Sequence, residues 1–119
     1  MGDVKRSVRV AQRLREQLSA LIAKRVRDPR AQNTIVTRVE MPDDLRSANV
    51  YVRTLEGDPL RGEAAAHALT KAAGLLRSEV TRALGLRFAP ELAFFYDSGQ
   101  DAATRIDEIL REIEQDKKR

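Results

Sequence analysis

The stretch LRGEAAAHALTKAAGLLRSEVTRAL, residues Leu60–Leu84, governs how the rest of the chain must be arranged. Ala65, Leu69, Ala72, Leu76, Val80 and Ala83 recur at steps of three and four, the spacing of one apolar helix face. Gly74 interrupts that helix near its middle, where glycine costs about 1 kcal/mol relative to alanine. It falls on the polar side with Lys71, Ser78 and Arg82, so it marks a kink or a close backbone approach. Gly85 supplies a C-terminal stop.

The sequence on both sides of this helix is extended. Upstream, Thr34–Met41 alternates Ile35, Thr37, Val39 and Met41 with Thr34, Val36, Arg38 and Glu40. Ala48–Leu55 alternates Val50 and Val52 with Tyr51 and Arg53. Period two with β-branched and aromatic residues predicts two strands. The link Pro42-Asp43-Asp44-Leu45-Arg46-Ser47 has turn chemistry and favours an antiparallel pair. Gly57-Asp58-Pro59 ends the second strand. Downstream, Leu92-Ala93-Phe94-Phe95-Tyr96 follows Pro90 and reads as a third, buried strand. Reaching it from strand two through a long helix implies a parallel crossover, hence a mixed sheet.

Two more helices complete the pattern. Over Val4–Arg27, Val10, Ala11, Leu14, Leu18, Leu21 and Ile22 share one side, with Arg6, Arg9, Arg13, Lys24 and Arg27 opposite. Pro29 disfavours helix at Asp28, which sets the expected end. A last helix is expected over Asp101–Glu114, with Ile106, Ile109, Leu110 and Ile113 on one face and Asp101 as N-cap. The order α-β-β-α-(kink)-α-β-α predicts an α+β domain with helices packed on one face of a three-stranded sheet. The 119 residues suit one domain, residues 1–114, leaving 115–119 as a short charged tail.

Composition narrows the chemistry. With no Cys and one His, His67, there is no material for a disulfide framework, a thiol nucleophile or a multi-histidine metal site. His67 lies on the polar side of its helix and reads as a surface residue. Asp43-Asp44 is an adjacent carboxylate pair, but it sits in a turn with no nucleophile, base or phosphate loop beside it. No cofactor and no enzymatic activity are expected. No apolar run approaches the ~20 residues of a membrane span. Met1–Arg6 lacks a signal-peptide core, and Arg6 stands where a myristoylation pattern wants Ser or Thr. The expectation is a cytoplasmic protein.

The 22 basic residues outnumber the 18 acidic ones, and 17 of the 22 are Arg. Arg is suited to bidentate phosphate contacts. The charge is uneven: residues 1–30 carry +6, 31–70 carry −2, 71–96 carry +2 and 97–119 carry −2. A charged stripe on an amphipathic helix is often only its solvated face. Here Arg6, Arg9 and Arg13 have only Glu16 as an acidic neighbour three or four residues further on, so they repel one another unless a partner neutralises them. That favours a phosphate-contacting surface.

Several short matches, in order and at the right spacings, resemble the bacterial ribosome-binding factor A family. They are Arg9-Val10-Ala11, Val26-Arg27-Asp28-Pro29-Arg30, Val39-Glu40-Met41, Asp44-Leu45 and Ala48-Asn49-Val50-Tyr51-Val52. Further on come Ala72-Ala73-Gly74 with Leu76-Arg77, Leu86-Arg87, Pro90-Glu91-Leu92 with Phe94, Tyr96-Asp97, and Arg105-Ile106 with Ile109-Leu110. One departure is Ala31-Gln32-Asn33 after Arg30, where many members have an apolar residue and then Gly.

The resemblance implies a type II KH-like domain. KH domains clamp a nucleic-acid backbone with a GXXG loop. The chain has no GXXG, and the family replaces it with a helix-kink-helix marked Ala-x-Gly, matched by Ala72, Ala73 and Gly74. On the same resemblance the protein binds the small ribosomal subunit and its rRNA late in assembly and assists maturation of the rRNA 5′ end. An assembly GTPase helps release it, it supports growth in the cold, and it acts without catalysis, as a monomer.

The expected phosphate contacts are Arg6, Arg9, Arg13, Lys24, Arg27 and Arg30 from the first helix and its end, and Lys71, Arg77, Arg82 and Arg87 around the kink. Gly74 would allow backbone approach, with Ala72 packed inward. Arg27 and Arg30 could instead cap the helix or pair with Asp28. Phe94, Phe95 and Tyr96 are expected in the core. The rival reading is a basic protein-interaction module without direct RNA contact.

Overall fold

The computed structural model describes residues 5–99. The expected last helix over Asp101–Glu114, the tail and the Arg105–Leu110 matches lie outside the described residues. Within them the order is α1 (Arg6–Arg25), a single 3-10 turn (Pro29–Ala31), β1 (Thr34–Glu40), β2 (Ser47–Thr54), α2 (Pro59–Lys71), α3 (Ala73–Leu84) and β3 (Glu91–Tyr96).

The sheet order is β1-β2-β3. β1 runs antiparallel to β2, and β3 runs parallel to it, as the long crossover requires. The pairing sets Ala48 beside Leu92 and Val50 beside Phe94. All four side chains are buried, and with Val52 they floor the core. Leu14, Leu18 and Ile22 of α1, Leu69 of α2, and Leu76 and Val80 of α3 close it from above. The helices therefore occupy one face of a mixed three-stranded sheet.

Local chemistry explains the boundaries. Asp58 caps α2 by accepting from the Leu60 N–H at 3.0 Å, and Pro59 occupies the first helical position, where its missing N–H costs nothing. Gly85 ends α3 with φ 63°. α1 stops at Arg25, earlier than expected, because Val26 turns extended (ψ 115°) and packs against the core. Asp28 then caps the 3-10 turn. Ala31 is buried, and Asn33 adopts φ 60°, a left-handed conformation that Asn tolerates. Those two residues make the turn into β1 without the usual Gly.

Three expectations need correction. Strict alternation fails in β1, because a bulge between Val36 and Arg38 inserts Thr37 as an extra residue. Val36 and Val39 both reach the core, and the Thr37 hydroxyl donates to the buried Asp97 carboxylate at 2.6 Å. Phe95 is 44% exposed, on the outer face of the sheet, while Phe94 is buried and Tyr96 half-buried. Ala83 is exposed, and Leu84 packs in its place, continuing the steps of four from Leu76 and Val80.

Candidate nucleic-acid interface

α1 buries Ser7, Val10, Ala11, Leu14, Leu18 and Ile22. This leaves Arg6, Arg9, Arg13 and Lys24 exposed on the opposite side. Among the described residues none of the four forms an ion pair. The first turn of α1 contains no acidic residue, and Lys5 offers no side-chain cap. Cations there face the positive end of the helix dipole, an arrangement that weakens a helix by a few tenths of a kcal/mol per charge or more. Helix stability therefore does not account for their placement.

α3 lies antiparallel beside α1. Arg25 Nη2 meets Glu79 Oε1 at 3.2 Å near one end. Arg6 shares a hollow with Leu86, Arg87 and Phe88 at the other. Arg82 is exposed on α3 between these ends. Arg6, Arg9, Arg13, Arg82 and Arg87 are thus drawn from two adjacent helices and the loop that leaves one of them.

At the kink, Ala72 separates α2 from α3 with φ −89° and ψ 3°, about 45° from helical ψ. Its N–H reaches back to the carbonyls of Ala68, Leu69 and Thr70. Ala72 packs against the core as expected. Gly74 is the second residue of α3, exposed, with no heavy atom within 4 Å of where a Cβ would stand. It has no positive φ. The bend therefore resides at Ala72, and Gly74 neither packs closely nor supplies special backbone freedom. What its bareness does is leave the backbone of the first turn of α3 uncovered. Among the described residues no side chain caps that turn, and first-turn N–H groups lack acceptors within their own helix.

The remaining expected contacts divide. Arg27, exposed, and Lys71, exposed, lie near the 3-10 turn without an ion pair among the described residues. Arg30 is held by Asp28, donating from Nε to Oδ1 at 3.1 Å and from Nη2 to Oδ2 at 2.7 Å. The Arg30 side-chain bonds, and then its backbone N–H, hold the Asp28 carboxyl at about 2. Lys71 adds a smaller electrostatic pull. Arg77 is held as well, with Nη2 donating to the Ala89 carbonyl at 2.8 Å and Nε to the Pro90 carbonyl at 3.1 Å. It also meets Glu91 at 3.3 Å. Both of these guanidinium groups already have partners within the fold.

Sequence reading passed over one aromatic side chain on this surface. Phe88 is 53% exposed, with Arg46 Cζ 5.2 Å and Arg87 Cζ 5.4 Å from its ring centre. The available signal was an aromatic residue in the loop between Gly85 and Pro90. On the outer sheet face, Tyr51 lies 4.0 Å under the Arg38 guanidinium and 5.6 Å from Phe95. Among the described residues no helix is long and apolar enough to cross a membrane.

The comparisons agree with this architecture. The model of a family described as ribosome-binding factor A matches residues 6–110. A ribosome-binding factor A from Sorangium cellulosum is 52% identical over 114 residues, covering 94% of this chain and 91% of that one. The solution structure of a candidate ribosome binding factor A from Thermotoga maritima is 31% identical, with a TM-score of 0.70, over 86% of this chain and 96% of that one. Thermus thermophilus ribosome binding factor A, fitted as a homology model into a cryo-EM map of a 30S complex, shares the fold. Its TM-score is 0.64 at 24% identity, over 80% of this chain and 99% of that one.

Proposed function

This chain belongs to the ribosome-binding factor A family, and on that premise we propose that it binds the small ribosomal subunit during assembly by laying α1 and α3 on ribosomal RNA. The observation that carries this reading is the set of exposed cations Arg6, Arg9, Arg13, Arg82 and Arg87, none of which has a carboxylate partner among the described residues. Phosphates would neutralise these charges. The bare first turn of α3 at Gly74 would let an RNA backbone approach helix N–H groups. Lys24, Arg27 and Lys71 extend the surface toward the kink. A relative of the same fold fitted into a 30S complex supports the choice of partner.

In this reading the protein acts in the cytoplasm as a monomer, with residues 1–114 as its working domain. It associates late, assists maturation of the rRNA 5′ end and leaves with the help of an assembly GTPase. It supports growth in the cold and catalyses nothing itself. Sedimentation of a cell lysate tests the assignment. The protein should travel with free small subunits and not with translating ribosomes. Absence from the small-subunit fractions at low salt would refute it, and binding only to an isolated acidic protein would favour a protein-interaction module instead.

A further inference from the structure

We propose that the hollow where α1 begins and α3 ends is a pocket for one unpaired guanosine, with the base stacked on Phe88 and the phosphate held by Arg46 and Arg87; this rests on the RNA-binding reading above. The hollow measures about 220 Å³ and is lined by Arg6, Asp43, Asp44, Leu45, Arg87 and Phe88, among others. That is below the ~300–1,000 Å³ of pockets for drug-sized ligands and suits a single planar group.

Phe88 has no role in the core: its ring is 53% exposed in a loop. It already carries planar cations, with Arg46 and Arg87 each within 5.4 Å of the ring centre. Unpaired RNA bases are bound by aromatic rings and guanidinium planes of this kind. The lining itself balances Arg6 and Arg87 against Asp43 and Asp44, and Lys5 beside Asp43 with Arg46 beside Phe88 add two cations next to it, so a phosphate can be held there.

The two carboxylates give the choice of base. Asp43 accepts from the Ser7 hydroxyl at 3.2 Å and lies 3.9 Å from Lys5. Asp44 accepts the Arg46 N–H on one lone pair of Oδ1 at 3.0 Å, so that among the described residues Oδ2 and the second lone pair of Oδ1 stay available. Guanine presents two adjacent N–H donors on its Watson–Crick edge, and a carboxylate accepts such a pair. Uracil, cytosine and adenine present no such pair. Between Asp44 and Arg46, Leu45 is held at φ 60°. A branched residue in that conformation is strained, and such strain gathers where side chains must be aimed at a ligand.

The test uses the full chain and 5′-labelled single-stranded hexaribonucleotides, one all uridine and one with a single guanosine, read by fluorescence anisotropy. The parent should bind the guanosine oligonucleotide more tightly than the all-uridine one. Phe88→Ala should weaken that binding at least fivefold, Phe88→Tyr should stay within twofold, and Asp44→Asn should erase the preference for guanosine. A parent without the preference, or Phe88→Ala within twofold of the parent, overturns the pocket. So does loss of subunit binding in Phe88→Ala with oligonucleotide binding intact, since the ring would then meet ribosomal protein. A parent that binds small subunits but neither oligonucleotide overturns the pocket alone. A parent that binds nothing overturns the RNA-binding reading with it.

Discussion

Gly62 of α2 lies so close beneath the Tyr96 ring of β3 that a Cβ on residue 62 would overlap the ring. This contact seats the crossover helix on the strand it leads to. Gly62→Ala should destabilise the domain by about 1–3 kcal/mol, the usual cost of overpacking a filled contact. Urea unfolding would read it as a lower midpoint with an unchanged slope. Trimming the ring in a Gly62→Ala, Tyr96→Leu double variant should recover part of the loss.

Gly74 should behave in the opposite way. With open space at its Cβ position and no positive φ, Gly74→Ala should raise stability by about 0.4–1 kcal/mol. Gly74→Val should fold to nearly the parent stability and yet bind small subunits more weakly, because its side chain covers the first turn of α3. Unchanged binding by a folded Gly74→Val protein would show that this turn is not part of the interface.

Arg77 should prove structural. Its guanidinium bonds to the carbonyls of Ala89 and Pro90 tie α3 to the segment entering β3. Arg77→Met should cost about 1.5–3 kcal/mol, the range for hydrogen bonds from a charged donor. Arg77→Lys should not restore it, since an ammonium cannot reproduce the fork. Subunit binding by the folded fraction should keep the parent salt dependence.

Much of this architecture is legible in the sequence, and the exceptions share a cause. The parallel crossover followed from Gly57-Asp58-Pro59, a long helical period and an apolar strand. Each is a local pattern imposed by backbone geometry. The bulge at Thr37 was hidden because inserting one residue makes two opposed residues on paper share a face. Phe95 was misplaced because a strand apolar at adjacent positions does not say which side meets the helices. At the candidate site, the cations of α1 could be read from helical spacing alone. The partners of Arg77, 12 and 13 residues away, could not, nor could the convergence of Arg46 and Phe88. Both depend on how loops meet at the end of the sheet.

Acid should report on the Asp28–Arg30 clasp. The Asp28 carboxyl is held at about 2, below its ordinary 3.8, first by the Arg30 side-chain bond and then by the Arg30 backbone N–H. The unfolded chain therefore binds the proton more readily, and this contribution to stability is complete above pH 3.8 and disappears as the pH falls toward 2. Urea unfolding of the parent and of Asp28→Asn between pH 6 and pH 2 should give stability curves that differ above about pH 4 and converge below it. A constant difference across that range would assign the effect of Asp28 to packing.

The central claim is that the exposed arginines of α1 meet ribosomal phosphates. It is tested most directly by the affinity of the purified protein for small subunits as a function of salt, for the parent and for Arg9→Glu with Arg13→Glu. Each phosphate contact contributes about 0.7–0.9 to the slope of log affinity against log salt. The account predicts a steep slope for the parent. For the double variant it predicts a shallower slope, by about 1.4–1.8, together with weaker binding and a thermal stability no lower than the parent's, since carboxylates suit the first turns of a helix better than cations do. Equal slopes and affinities in the two proteins, with only the melting temperature altered, would mean that these arginines are a solvated helix face and would contradict it.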